Sequence, residues 1–169
     1  MSLRGALVLL LEEPRLAELR ARFDPVGTAA GIPLHVTLLF PFGREEDGVE
    51  ELFARWSPLR FSLTRVAEFP GVLWLAPEPD EELRARILEL YAGFPGWPPY
   101  GGEFPEPTPH ATVGKVPKGE SQADVAAAVR AAADPLLPVP FELREAALLV
   151  ETAPDRWREG RRFPFQDGS

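Results

Sequence analysis

Both histidines of this 169-residue chain open the same tripeptide pattern, His35-Val36-Thr37 and His110-Ala111-Thr112. An imidazole, with a reference pKa of about 6.5, exchanges protons near neutral pH. A threonine hydroxyl donates and accepts hydrogen bonds. The apolar runs around the tripeptides, Leu34 to Phe40 and Ala111 to Val116, are short and bounded by proline and glycine, so they read as strands. Side chains two residues apart on a strand share a face. Each histidine therefore points with its threonine into one space, while Val36, Leu38, Ala111 and Val113 point into a core. Set face to face, the two strands would offer two proton-transfer groups and two neutral hydrogen-bond donors.

Taken singly, a strand histidine is more often structural than chemical. The pairing at equivalent points of the chain reverses that weighting. A metal centre built on two histidines wants an aspartate or glutamate beside them. Here the neighbour is threonine both times, so neither a metal site nor a cofactor is expected.

The elements that would carry these strands come in two copies. Gly5-Ala-Leu-Val-Leu-Leu-Leu-Glu-Glu followed by Glu18-Leu-Arg-Ala-Arg22 is echoed by Gly71-Val-Leu-Trp-Leu-Ala-Pro-Glu-Pro followed by Glu82-Leu-Arg-Ala-Arg86. Each pair reads as a strand leading into a helix, with apolar faces Leu16, Leu19 and Phe23 in one and Leu83, Ile87, Leu90 and Phe94 in the other. The histidine strand follows in both. A second helix comes next, with the stripe Val49, Leu52, Phe53 and Trp56 in one copy and Val125, Val129 and Ala132 in the other, where Ser121 and Asp124 have capping spacing. Phe61-Ser-Leu63 and Phe141-Glu-Leu143 open matching strands. The acidic runs at 45–47 and 80–82 fall where helix first turns favour negative charge.

The offset between copies is 64 residues at Glu18 and Glu82, 75 at the histidines and 80 at Phe61 and Phe141, so the second copy carries insertions. One lies in Phe94 to Pro109, rich in proline and glycine and holding Trp97, Tyr100 and Phe104. Any of these three could stack on a base, or simply pack on the surface. Phe40 and Phe42 read as core or cleft wall. A further strand-like run, Ala147 to Glu151, continues into Asp155-Arg-Trp-Arg-Glu-Gly-Arg-Arg162, whose Arg158 and neighbouring arginines could draw in phosphate. The expected architecture is α+β: a duplicated β-α-β-α-β unit forming one domain, with pseudo-symmetric halves at roughly 1–70 and 71–169. Such symmetry would set the histidine strands opposite each other.

The absence of cysteine excludes disulfides, thiolate catalysis and cysteine-ligated zinc. A formal net charge of −8 argues against broad binding along nucleic-acid backbones, leaving a small phosphorylated ligand or an RNA end as partner. The apolar run Ala6 to Leu11 runs straight into Glu12 and Glu13 and reads as a buried strand, not a signal peptide. No stretch approaches a membrane span, and a cytoplasmic monomer is the expectation.

His35-Val-Thr-Leu-Leu-Phe-Pro-Phe-Gly43 and His110-Ala-Thr-Val-Gly-Lys115 resemble the two His-x-Thr/Ser motifs of the two-histidine (2H) phosphoesterase superfamily, which includes bacterial 2′,5′-RNA ligase-like proteins and cyclic nucleotide phosphodiesterases. The second match is looser: Val113 stands where leucine is usual, and Lys115 where arginine is frequent, keeping the charge without the bidentate fork. The resemblance implies two lobes, with a curled antiparallel sheet lining a central cleft and helices outside. It also implies metal-independent acid-base catalysis on 2′,3′-cyclic phosphates or 2′,5′ linkages of nucleotides or RNA ends. His35 and His110 would be base and acid, in an order the near symmetry leaves open, and Thr37 and Thr112 would hold phosphate oxygens. Lys115, Tyr100 and Arg158 are candidate substrate contacts. The competing reading is a nucleotide- or RNA-end-binding protein that keeps the phosphate cage and turns over little or nothing.

Overall fold

In the computed structural model, which describes residues 3–43, 47–102 and 106–166, two four-stranded antiparallel sheets are flanked by helices. The first copy runs β1 (Gly5–Leu10), α1 (Pro14–Phe23), α2 (Pro25–Ala29), β2 (His35–Phe42), α3 (Val49–Phe53) and β3 (Leu59–Phe69). The second runs β4 (Val72–Glu78), α4 (Glu81–Gly93), β5 (Ala111–Lys115), α5 (Gln122–Ala133) and β6 (Val139–Leu143). A hairpin of β7 (Glu145–Ala153) and β8 (Arg156–Pro164) closes the chain. Among the described residues no helix is long and apolar enough to cross a membrane.

Local chemistry explains the helix starts. Glu13 accepts hydrogen bonds from the backbone N–H groups of Arg15 and Leu16, and Pro14, which has no N–H to leave unsatisfied, opens α1. Ser121 caps α5 through the Asp124 N–H at 3.3 Å, as its spacing predicts. Helix α2, which the apolar periodicity does not reveal, starts at Asp24-Pro25, where the Asp24 carboxylate accepts from the Gly27 N–H at 3.1 Å. Glu81 and Glu82 lie in the first turn of α4, whereas 45 and 46 of the other acidic run lie outside the described residues.

The sheet orders are β2-β1-β7-β8 and β5-β4-β3-β6. Both histidine strands are thus edge strands, and the two edges approach one another. The helices cross over: α1 packs on β5 and α5, while α4 packs on β2. One apolar core runs through both sheets, with Val36, Leu38, Ala111 and Val113 fully buried in it; the predicted helix stripes are buried there too, except Phe23 and Ala132, which are half-buried at its margin. Trp56 is buried although α3 stops at Phe53. The third strand of the first copy, β3, joins the second sheet, and β7 and β8 complete the first, so the halves of the sequence exchange strands.

Candidate active site

His35 is the first residue of β2, and His110 immediately precedes β5. Both imidazoles are anchored alike. Nδ1 of His35 lies 2.7 Å from the carbonyl oxygen of Pro33, and Nδ1 of His110 lies 2.7 Å from that of Thr108. A carbonyl only accepts, so each Nδ1 carries the hydrogen, and Nε2 is left as the nitrogen that can take or give a proton. Residue i−2 does the same work in both copies.

Around His110 the rings of Phe69 and Trp74 stand edge-on, with centroids at 5.1 and 5.8 Å. A cavity of about 420 Å³ opens here, with Thr37 and His110 on it and walls that include Phe69, Ile87, Tyr91 and Tyr100. Thr37 is cross-strand from Val8, and Thr112 from Trp74. Tyr100 shares a hydrogen bond with Thr37 and sits 6.1 Å from Phe40, whose ring is 6.2 Å from Trp157 and 5.1 Å from the Arg4 guanidinium. The Tyr100 backbone is left-handed at φ 50°, an unfavourable conformation for a bulky residue. Burial pushes the Tyr91 hydroxyl up to about 12 and raises that of Tyr100, so both walls stay neutral.

The imidazoles are also shifted. Burial drives His35 down to about 4, the Pro33 carbonyl resisting and the positive charges of Arg20 and His110 adding to the fall. Burial lowers His110 against the pull of the Thr108 carbonyl, with no cation contributing. His35 is therefore held neutral more firmly than His110.

The structure puts Thr37, Tyr100 and His110 on one cavity, with His35 near enough to His110 to feel its charge; neither His35 nor Thr112 is among the residues lining that cavity. The structure does not bring Lys115 or Arg158 to them. Lys115 stands at the far end of β5, about 15 Å along the strand from His110, and lines a hollow with Arg22, Asp24 and Glu120. Arg158 lines another hollow with Phe42 and Asp47, its guanidinium donating to the Glu159 carbonyl at 3.3 Å. Its neighbour Trp157 is the side chain of that basic segment that reaches the Phe40 wall. Phe104 lies outside the described residues, and Trp97 packs on Phe42 at 5.8 Å as part of the core margin. Sequence reasoning missed Tyr91, Phe69 and the two anchoring carbonyls, which carry no side-chain signature.

Among the described residues no group of three or more histidine, cysteine, aspartate or glutamate side chains converges as a metal site would need. What the cavity holds is one proton carrier, His110, with the Thr37 hydroxyl on the same wall and the second imidazole, His35, nearby, a set suited to acid-base chemistry on an anion.

The sequence profile of the 2′-5′ RNA ligase superfamily matches residues 10–155, spanning both histidine strands. GK0864 of Geobacillus kaustophilus, which carries a phosphoesterase name, is 30% identical over 117 residues, or 63% of this chain and 64% of its own length. The crystal structure of E. coli LigT complexed with ATP superposes with a TM-score of 0.60 at 19% identity, covering 98% of this chain and 99% of that one. TT0787 of Thermus thermophilus gives 0.56 at 21% identity, covering 98% and 100%. The strand exchange, the edge-strand histidines and the profile match agree, and the chain belongs to the 2′-5′ RNA ligase superfamily of 2H phosphoesterases.

Proposed function

We propose that the protein is a metal-independent phosphoesterase that opens 2′,3′-cyclic phosphates, or cuts 2′,5′-phosphodiester linkages, on nucleotides or RNA ends. The observation that carries this reading is the matched anchoring of the two imidazoles, which leaves Nε2 of each as the nitrogen free to exchange a proton. His35, the more firmly neutral of the two, takes a proton from water as its oxygen attacks phosphorus. His110, protonated, gives a proton to the departing ribose oxygen as the P–O bond breaks. Thr37 and Thr112 donate to the nonbridging oxygens, where negative charge grows. The apolar cavity walled by Tyr91, Tyr100 and Phe69 suits a nucleoside.

LigT has been crystallised with ATP, 3′-AMP and NADP+, which supports a nucleotide as ligand here. A second reading, a nucleotide- or RNA-end-binding protein with little turnover, is favoured by one observation. Both imidazoles have lowered pKa values, so the unliganded site holds little protonated acid at neutral pH. Incubation with cyclic nucleotides, oligonucleotides with cyclic ends and ADP-ribose cyclic phosphate, before and after exhaustive EDTA treatment, separates the two. Product formed in both preparations is the expected result. Binding without product would favour the second reading, and activity lost with EDTA and restored by a divalent ion would overturn the acid-base mechanism.

A further inference from the structure

The repeated Glu-Leu-Arg-Ala-Arg segment finds a use in the structure that its apolar spacing does not supply. Its central residue is Arg20 in α1 and Arg84 in α4, equivalent positions 64 residues apart. The Arg20 guanidinium donates to the carbonyl oxygen of Ile32, three residues before His35. That of Arg84 donates to the carbonyl oxygen of Pro107 at 2.7 Å, three residues before His110. These carbonyls lie 75 residues apart, like the histidines. The pairing has therefore kept its place across the extra residues inserted between α4 and β5. The next carbonyl along, of Pro33 or Thr108, is the one that fixes the imidazole.

Each arginine is itself braced by an aspartate four residues away at an end of its helix, Asp24 after Arg20 at the C-cap of α1 and Asp80 before Arg84 at the N-cap of α4. The Arg20 guanidinium lies 3.4 Å from the Asp24 carboxylate, and Nε of Arg84 donates to Asp80 at 2.7 Å. Asp80 sits at the N-cap of α4 and makes no capping bond there, so its carboxylate serves the arginine. A guanidinium suits this task because its fork holds a carboxylate and a carbonyl in one plane at fixed angles.

We infer, resting on the two-histidine reading of the cleft, that Arg20 and Arg84 are matched positioning residues, each clamping the carbonyl three residues before its histidine so that the following carbonyl holds Nδ1–H. Without the clamp the segment could turn, and the imidazole could exchange to the tautomer with hydrogen on Nε2, which cannot act as a base. The two clamps differ in depth. Side-chain exposure is 7% for Arg20 and 3% for Asp24, against 41% for Arg84 and 31% for Asp80. The charge of the deep clamp, though paired with Asp24, adds to the burial that opposes protonation of His35, while the shallow one leaves His110 freer to take up a proton.

Because the chain has two histidines, ¹⁵N imidazole spectra resolve both tautomers directly. Arg84→Gln should remain folded, shift part of His110 to the Nε2–H tautomer, leave His35 unchanged, and lower kcat on a 2′,3′-cyclic nucleotide about tenfold with a smaller change in KM. Arg84→Lys should restore part of both. For the buried pair, Arg20→Gln combined with Asp24→Asn avoids a stranded carboxylate and should move His35 alone. Unchanged tautomers in folded variants, or equal changes at both histidines in either variant, would overturn the clamp. Should the wild-type protein turn over no phosphoester, the proposed function fails while the tautomer pattern still decides the clamp.

Discussion

The two imidazoles are alike in sequence and unlike in surroundings, and the pH profile should show it. Because the proposed reaction needs one neutral and one protonated histidine, a bell is expected. The reference value alone would centre it near 6.5. Burial lowers both groups, His35 to about 4, so kcat/KM, which reports the free protein, should peak on the acid side of 6.5. A bound phosphate anion favours imidazolium, so the alkaline limb of kcat should lie at higher pH than that of kcat/KM. The limbs belong to the interacting pair as a whole. Coincident profiles would show that the bound anion does not shift the pair, and a plateau of kcat/KM through pH 10 would show that no imidazolium is needed. Substitution tests the same division of labour. His35→Ala and His110→Ala should each abolish turnover with the fold kept, whereas Thr37→Ala and Thr112→Ala should cost on the order of 10- to 1000-fold. Near-normal turnover in either histidine variant would refute the mechanism.

At the level of elements, the loop that delivers His35 depends on one glycine. Gly31 has φ +86°, and a Cβ there would collide with the Trp157 carbonyl oxygen, while the Trp157 N–H bonds the Ala30 carbonyl at 2.7 Å. The loop is thereby tied to β8. Gly119, with φ +89° and nothing within 4 Å of such a Cβ, provides the control. Gly119→Ala should cost about 1 kcal/mol of left-handed strain. Gly31→Ala adds a backbone collision and should cost about 3 kcal/mol or more. Equal costs in urea unfolding would mean that the loop shifts freely. The histidine strands and helix stripes were legible because each alternates with its own period. Strand β8 was not, since Arg156 to Arg162 offers no apolar alternation, and its pairing is imposed by β7. Arg20 and Arg84 were visible as a repeat, but their role depends on backbone carbonyls that a sequence leaves unmarked.

For the whole molecule, duplication places one histidine at the start of the outer strand of each sheet, and the exchange of β3 for β7 and β8 makes both sheets depend on both halves. That arrangement was only half readable: the repeat gave the order of elements, while strand partners are decided by packing across the chain. The charge of the molecule then limits what the cleft can recognise. With a formal net charge of −8, Lys115 away from the histidines, and Arg161 and Arg162 each paired with glutamates, several of the cations that could follow a polyanion are remote or neutralised among the described residues. Recognition should rest on the terminal nucleotide. A protein making 6–10 phosphate contacts loses about 10³- to 10⁵-fold in affinity between 50 and 200 mM salt. For this protein, KM for a 20-nucleotide RNA with a cyclic end should rise less than about tenfold over that range, and should stay close to KM for a dinucleotide with the same end. Steady-state kinetics on both substrates at several salt concentrations measures this. A steep rise confined to the longer RNA would reveal an extended phosphate track and refute end-only recognition.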